Sequence, residues 1–210
     1  GDSELSSIDS ALLLAGVLYA REFFDQNQPE ENEIRSAANL IFNRVDWLWM
    51  ANGANSLTMG WKPESGFLPW RWIGYNEAMI TYLMGLGAAT NPLPPVQWSS
   101  WVSGYNWRTN YGQAYVEFPP MFGHQYSHCW VDFRHIADAY MSARASSYFE
   151  NTRRAALAQR AYCMANPGGF AGSSGPDWFV AISAALGYGR PLHLALYVGM
   201  IIFFTFFYTS

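Results

Sequence analysis

The sequence is short of charge. Charged residues fill 13% of its 210 positions, and a single lysine, Lys62, stands among them. The formal net charge is -4 and no basic stripe is present, which argues against nucleic acid as a partner. Cysteine is nearly absent. Cys129 and Cys163 are too few for a disulfide framework or a zinc site, and each reads as a small buried apolar residue. There is no P-loop, no GxGxxG and no Ser/His/Asp order. GLGAAT at residues 85–90 reads as a helix end, so no nucleotide cofactor is expected. No fixed-period repeat and no low-complexity tract interrupts the chain. The opening stretch, GDSELSSIDSALLLAG, has neither a Met nor a basic n-region. It does not read as a signal peptide, and the expectation is the interior of a longer gene product.

Apolar residues make up 50% of the chain and aromatic residues 18%, enough for one sizeable packed domain. Ten Trp and thirteen Tyr exceed what an ordinary core uses. Such a surplus suits rings that stack on the flat C–H faces of sugars. It equally suits a Trp-rich core.

Periodicity predicts helices. Over residues 6–24, Ile8, Ala11, Leu12, Ala15, Leu18 and Tyr19 recur at helical spacing, Ser6 or Ser7 can cap the start, and Asp9 sits in the first turn. A second helix begins near Pro29, carries Ile34, Ala37, Ala38, Ile41, Val45 and Trp49 on one stripe, and stops at Asn52-Gly53. Gly60, Pro63, Gly66 and Pro69 break any helix over residues 56–73 and suggest a short hairpin around residues 62–66. Helix resumes over residues 75–87, with Asn76 placed to cap it, and again over residues 96–105. A second hairpin is expected over residues 108–118, a short helix through His128, and further helix over residues 136–141 and 147–166. The pattern is all-α, with short β-hairpins in loops rich in Trp, Tyr, Gly and Pro. The last stretch, Leu192 to Ser210, has no formally charged residue. As a helix it would be about 28 Å long at about 1.5 Å per residue, nearly enough to span a bilayer.

Several constellations carry chemistry. Glu77 lies in GYNEAM, flanked by Trp70, Trp72, Tyr75 and Met79. A carboxyl in an aromatic wall tends to keep its proton, as a glycosidase acid must. A Glu in a first helical turn is also what the helix dipole favours, and both readings stand. His124 and His128 are four apart, a spacing that suits a metal pair. HQYSH lacks the Glu of the zinc motif and no third ligand follows, so no metal is expected; substrate contacts or core hydrogen bonds are the reading for the pair. Asp132 and Arg134 suit a local ion pair, as does Glu150 with Arg153 or Arg154. Lys62 and Glu64 flank Pro63, placed to pair with each other or to point at ligand hydroxyls.

Five stretches in order, ELSSIDSALLLAG, VDWLWMANG, LTMGWKPESGFLPWRWIGYNEAM, FGHQYSHCWVDFRHIADAY and YFENTRRAALAQRAYC, together resemble the bacterial glucoamylase-like domain. That family includes endo-β-1,2-glucanases and the glucan-processing domain of cyclic β-1,2-glucan synthases. The resemblance covers residues 4–172. It implies an (α/α)6 toroid of alternating inner and outer helices, with loops at one end building a sugar cleft. It implies hydrolysis or transfer of glycosidic bonds in an oligosaccharide or polysaccharide, with no cofactor, in the periplasm or outside the cell. Glu77 matches the Glu of the family's GYNEAM segment and is the candidate general acid. Trp61, Trp70, Trp72 and Tyr75 would line sugar subsites, with Lys62, Glu64 and Arg71 anchoring hydroxyls. Asn76, His124, Gln125, His128 and Asp132 complete the candidate substrate-binding set, and Asp9 is the in-chain candidate for a second acid.

Two departures bear on this. About half of the toroid's helices are read here, and the base of the inverting members is expected in a part of the domain not present. After NPGGF the family's DGP triplet is missing and the chain reads AGSSGPDWFVAISAALGYGRP. The expected division is a partial toroid domain over residues 1–178 and a divergent apolar tail over 179–210, taken first as a frameshifted or truncated end and second as a membrane segment. The first functional expectation is a hydrolase of β-glucan, 1,2-linked. The alternatives are the transglycosylating domain of a membrane cyclic glucan synthase and an inactive sugar-binding fragment.

Overall fold

The structure, a computed structural model, describes residues 3–169. The expected boundary at residue 178 and the apolar run from residue 192 lie outside the described residues. The described residues divide into two compact units, one of residues 3–105 with Cys129–Val131, the other of Asn106–His128 with residues 132–169.

The first unit opens with β1 (Leu5–Ser6), which runs straight into α1 (Ser7–Phe23). Ser6 ends the strand because its hydroxyl accepts the Asp9 N–H at 3.2 Å, the N-cap that the sequence suggests. α1 buries Ala11, Leu14 and Ala15, and packs on α2 (Pro29–Asn43) and α4 (Met79–Leu86). Leu13, Tyr19 and Phe23 stay exposed. Pro29 opens α2, with Glu30 and Glu31 in the first turn.

The expected single helix from Pro29 to Asn52 is in fact two. α2 ends at Asn43, and α3 (Trp47–Ala51) starts anew. The break is Asp46, whose carboxylate takes the Trp49 N–H at 2.9 Å and so caps a new helix. The interruption turns Trp47 inward to 2% exposure, while Trp49, which the stripe would have buried, is 40% exposed. Asn52 closes α3 in the left-handed conformation at φ 47°.

The first expected hairpin forms. β2 (Gly60–Lys62) pairs antiparallel with β3 (Gly66–Phe67), with Trp61 opposite Phe67 and Lys62 opposite Gly66; β1 adds a third strand. Rings from α3 and the hairpin cluster, Trp49 against Phe67 at 4.7 Å and Trp61 at 5.9 Å between centroids. α5 (Val96–Val102) supplies Trp101, which is fully buried among Tyr75, Tyr82, Trp98 and Tyr105.

The second unit is built on α8 (Tyr148–Ala165), capped by Ser147 and closed by Asn166 at φ 40°. Its small residues Ala155, Ala156 and Ala158 let the hairpin of β4 (Trp107–Asn110) and β5 (Gln113–Val116) and the short α6 (Met121–Gln125) pack closely, burying Tyr115 and Met121. Tyr111 and Gly112 turn the hairpin with φ of 49° and 75°, the positive pair that a tight two-residue turn needs. Buried Asn151 accepts the Val116 N–H at 2.7 Å and ties α8 to β5. The helix expected over residues 136–141 shrinks to α7 (Ala139–Ser142). Asp138 accepts the Met141 N–H and the Tyr148 hydroxyl, so the chain before it is fixed by these caps instead of by helical bonds.

Among the described residues no helix is long and apolar enough to cross a membrane, and no cluster of three or more His, Cys, Asp or Glu could hold a metal ion.

Candidate active site

The sequence predicts Glu77 inside a helix. The structure places it in a turn immediately before α4, which begins only at Met79. The cause is Asn76. Its Oδ1 accepts the Ala78 N–H at 2.9 Å and its Nδ2 donates to the Gly74 carbonyl at 3.0 Å, which closes a turn where helical bonds would otherwise start. One carboxylate oxygen of Glu77, Oε2, is buried and has no hydrogen-bond partner among the described residues. Burial pushes the Glu77 carboxyl above the ordinary 4.5, against a smaller pull from its own backbone N–H.

The loop that carries Glu77 is tied down from several sides. Gly74 lies at φ 86° and donates its N–H to the Trp101 carbonyl at 2.8 Å. A Cβ on Gly74 would meet the Gly104 carbonyl oxygen at 2.9 Å, so this close approach needs glycine. Trp72 N–H bonds to the Leu57 carbonyl, and the Trp72 carbonyl accepts the Tyr82 hydroxyl at 2.7 Å. That hydroxyl in turn accepts the Leu57 N–H, and burial pushes the Tyr82 phenol up to about 12.

The other candidates of this unit take varied places. Trp72 is buried at 8% exposure and its indole N–H is spent on the Ser7 hydroxyl at 2.8 Å. Tyr75 is buried in the ring cluster around Trp101, and Asn76 is buried with its amide engaged in its own loop. Arg71 donates to the carbonyls of Ala51 and Ser56, which anchors the end of α3. Lys62 pairs with Glu4 at 3.6 Å and not with Glu64, which sets aside one of the two readings of these residues; Glu64 is exposed at the hairpin turn. Trp61 is half-buried beside Trp49, and Trp70 is 62% exposed. Asp9 is exposed in the first turn of α1.

His124, Gln125, His128 and Asp132 belong to the second unit. His124 and Gln125 are buried on α6. The Thr152 hydroxyl, from α8, lies 2.9 Å from His128 Nε2 and 3.0 Å from the His124 carbonyl. His128 also packs on the Phe133 ring. Burial pulls His124 down to about 3 and His128 to about 4, the latter against the opposing charge of Asp132. Asp132 itself is exposed and grips Arg134 through both carboxylate oxygens, which pulls it down to about 2. This is the local ion pair expected from sequence. Glu150 likewise bonds Arg153 first and Arg154 second, and is pulled to about 2.

The buried histidines carry a pH prediction. Both folded-state values lie below the ordinary 6.5, so an unfolded chain takes up protons first as pH falls. Their contribution to stability is complete above about 6.5, is lost progressively as pH falls below that, and is gone once pH has passed about 4 and then 3. An acid titration followed by the amide resonances of α6 and α8 should show the second unit loosening over that window. His128→Gln should weaken the dependence, and an unchanged profile in that variant would contradict the assignment.

Sequence reasoning missed Ser7, Tyr82, Gly104 and Thr152. Ser7 and Thr152 are single hydroxyls whose partners lie far along the chain, and no local pattern marks them. Gly74 and Gly104 carried a signal in that each precedes a Tyr in an aromatic stretch, but the contact between them is visible only in three dimensions.

Comparisons with known proteins add to this geometry. A family model, Glycoamylase, described as "Putative glucoamylase", matches residues 69–193, a span that includes Glu77 and runs past residue 178. The exo β-1,2-glucooligosaccharide sophorohydrolase (non-reducing end) of Parabacteroides distasonis is 26% identical over 204 residues, covering 84% of this chain and 28% of that protein. The crystal structure of a β-1,2-glucanase from Parabacteroides distasonis matches with a TM-score of 0.72 at 26% identity, over 80% of this chain and 28% of that one. An endo-β-1,2-glucanase from Chitinophaga pinensis, in complex with sophorotriose and glucose, matches with a TM-score of 0.75 over 82% of this chain and 43% of that one; at 23% identity it speaks for the fold alone. The chain thus spans little more than a quarter of the length of the curated relative it matches.

Proposed function

This chain belongs to the glucoamylase family, matched over residues 69–193, and from that premise we propose that it is part of a glycoside hydrolase domain that cleaves β-1,2-linked glucan with Glu77 as the proton donor. The observation that carries the proposal is the Glu77 carboxyl, with one oxygen buried and unpartnered and its proton affinity raised by burial. Burial favours the protonated form of such a group, and that is the form from which a general acid acts. In this reading the proton goes to the glycosidic oxygen as the bond to the anomeric carbon breaks, and a second carboxylate activates the water. Asp9, exposed at the start of α1, is the candidate within this chain for that second role. The helices would form part of an (α/α)6 toroid, and the substrate would be met outside the cytoplasm. The 1,2-linkage is supported by the activities named for the Parabacteroides relatives.

The test is release of reducing ends from linear β-1,2-glucan, beside β-1,3- and β-1,4-glucans as controls. Selective release from the 1,2-linked polymer is the expected result. Release from the other two and none from β-1,2-glucan would overturn the linkage. Binding of β-1,2-glucan without any release would make the chain a sugar-binding fragment.

A further inference from the structure

We infer that Asn76 is a positioning residue for Glu77: its side-chain amide clasps the backbone on both sides of Glu77 and, together with the Gly74–Gly104 contact, holds the carboxyl in its half-buried seat. The inference rests on the role proposed for Glu77, and goes beyond it by assigning what keeps the acid in place.

The geometry is specific. Nδ2 of Asn76 reaches back to the Gly74 carbonyl and Oδ1 reaches forward to the Ala78 N–H, so Glu77 lies inside the span of a single side chain. Asn76 is itself 7% exposed, and both ends of its amide are engaged by the loop. The loop is anchored in front by Gly74, whose N–H bonds to Trp101 and whose Cα side faces Gly104 with no room for a methyl group. Behind Glu77, Ala78 is fully buried and leads into α4. These fastenings fix the backbone on both sides of Glu77, which is itself half-buried. Positioning matters here because burial is what sustains the acid's proton. Among the described residues no charged neighbour contributes to the raised proton affinity; burial is its cause and the residue's own N–H opposes it. Arg71, on the same stretch of chain, is turned to the carbonyls of Ala51 and Ser56. A loosened loop would admit water to the carboxyl, and the affinity would fall back toward the ordinary value.

The test titrates Glu77 directly. In the 210-residue chain labelled with 13C at glutamate side chains, the Glu77 signal is identified by its loss in Glu77→Gln. In Asn76→Ala the titration midpoint should move down toward the ordinary carboxylate value. In Asn76→Ser it should move less, because a hydroxyl can keep the Ala78 N–H while losing the donor to Gly74. With β-1,2-glucan, the alkaline limb of kcat should shift down in the same order, with KM within about twofold of the parent. If Asn76→Ala fails to fold, Gly104→Ala carries the test, since its Cβ would meet the Gly74 nitrogen at 2.7 Å. A Glu77 midpoint unmoved in folded Asn76→Ser and Gly104→Ala would overturn the inference. A midpoint that moves as expected in a chain that releases no sugar sustains it, and tells against the hydrolase reading instead.

Discussion

Replacing Glu77 with glutamine should lower the rate of reducing-end release from β-1,2-glucan by about a hundred- to ten-thousandfold, the range a general acid contributes. Glutamine has the same shape and enters the same turn, so KM should change little. What it lacks is a proton that can be given to a departing oxygen. The deficit should therefore shrink when the leaving group needs no proton. A nitrophenyl glycoside of sophorose, whose phenolate leaves unaided, should be turned over by Glu77→Gln far closer to the parent rate. Equal losses on glucan and on the activated glycoside would show that Glu77 supports the cleft without acting as its acid.

The same substitution should change stability in a pH-dependent way. Below the ordinary value of 4.5 the carboxyl is neutral in both the folded and the unfolded chain, and the two variants should unfold alike. Above 4.5 the unfolded chain gives up this proton while the folded chain keeps it. The parent then loses stability relative to Glu77→Gln until pH passes the raised folded-state value. Thermal unfolding at pH 4 and pH 7 should show the gap opening in favour of glutamine at the higher pH. A gap that opens the other way would mean that the buried carboxyl is ionised and held by a partner.

Much of the local structure was legible in the chain because its signals are short-range. Ser6 before α1, Pro29 at the start of α2, Ser147 before α8 and the turn residues at Lys62–Gly66 act on N–H groups and dihedrals within a few positions. The failures share a cause as well. At Asp46, Asn76 and Asp138 a short polar side chain captures a backbone N–H two or three residues on, and a stretch whose apolar spacing continues is cut into shorter helices. Hydrophobic periodicity does not register that competition. The site was legible in part. The raised proton affinity of Glu77 was expected from the rings that flank it in sequence, and burial is its cause. The use of Trp72, Arg71 and Asn76 as internal fastenings was not, because their partners Ser7, Ala51 and Ser56 lie up to 65 positions away or, for Asn76, are backbone groups. Residue types that suit a sugar subsite suit a buried tie equally well, and only coordinates separate the two.

The largest effect on stability should come from Trp101→Ala. The indole is fully buried, with ring centroids of Trp98, Tyr105, Tyr82 and Tyr75 at 4.8, 5.1, 5.7 and 6.0 Å. Emptying such a site costs about 3–5 kcal/mol, a large share of the roughly 5–15 kcal/mol that holds a typical domain folded. Trp101→Phe should cost less than about 1.5 kcal/mol, for two reasons. Most of the ring contact is kept, and the indole N–H removed has no hydrogen-bond partner among the described residues, so its loss relieves a buried donor. Urea unfolding of the two variants, with the amide signals of α4 and α5 as probes, reads the difference. The consequence should also reach the candidate acid. The Trp101 carbonyl receives the Gly74 N–H, so a collapse of α5 into the empty space draws on the loop that seats Glu77. Trp101→Ala should then lower the Glu77 titration midpoint, and Trp101→Phe should leave it in place. If the alanine variant proves no less stable than the phenylalanine variant, the ring cluster is not the support of this unit, and the seat of Glu77 must be held from the hairpin side alone.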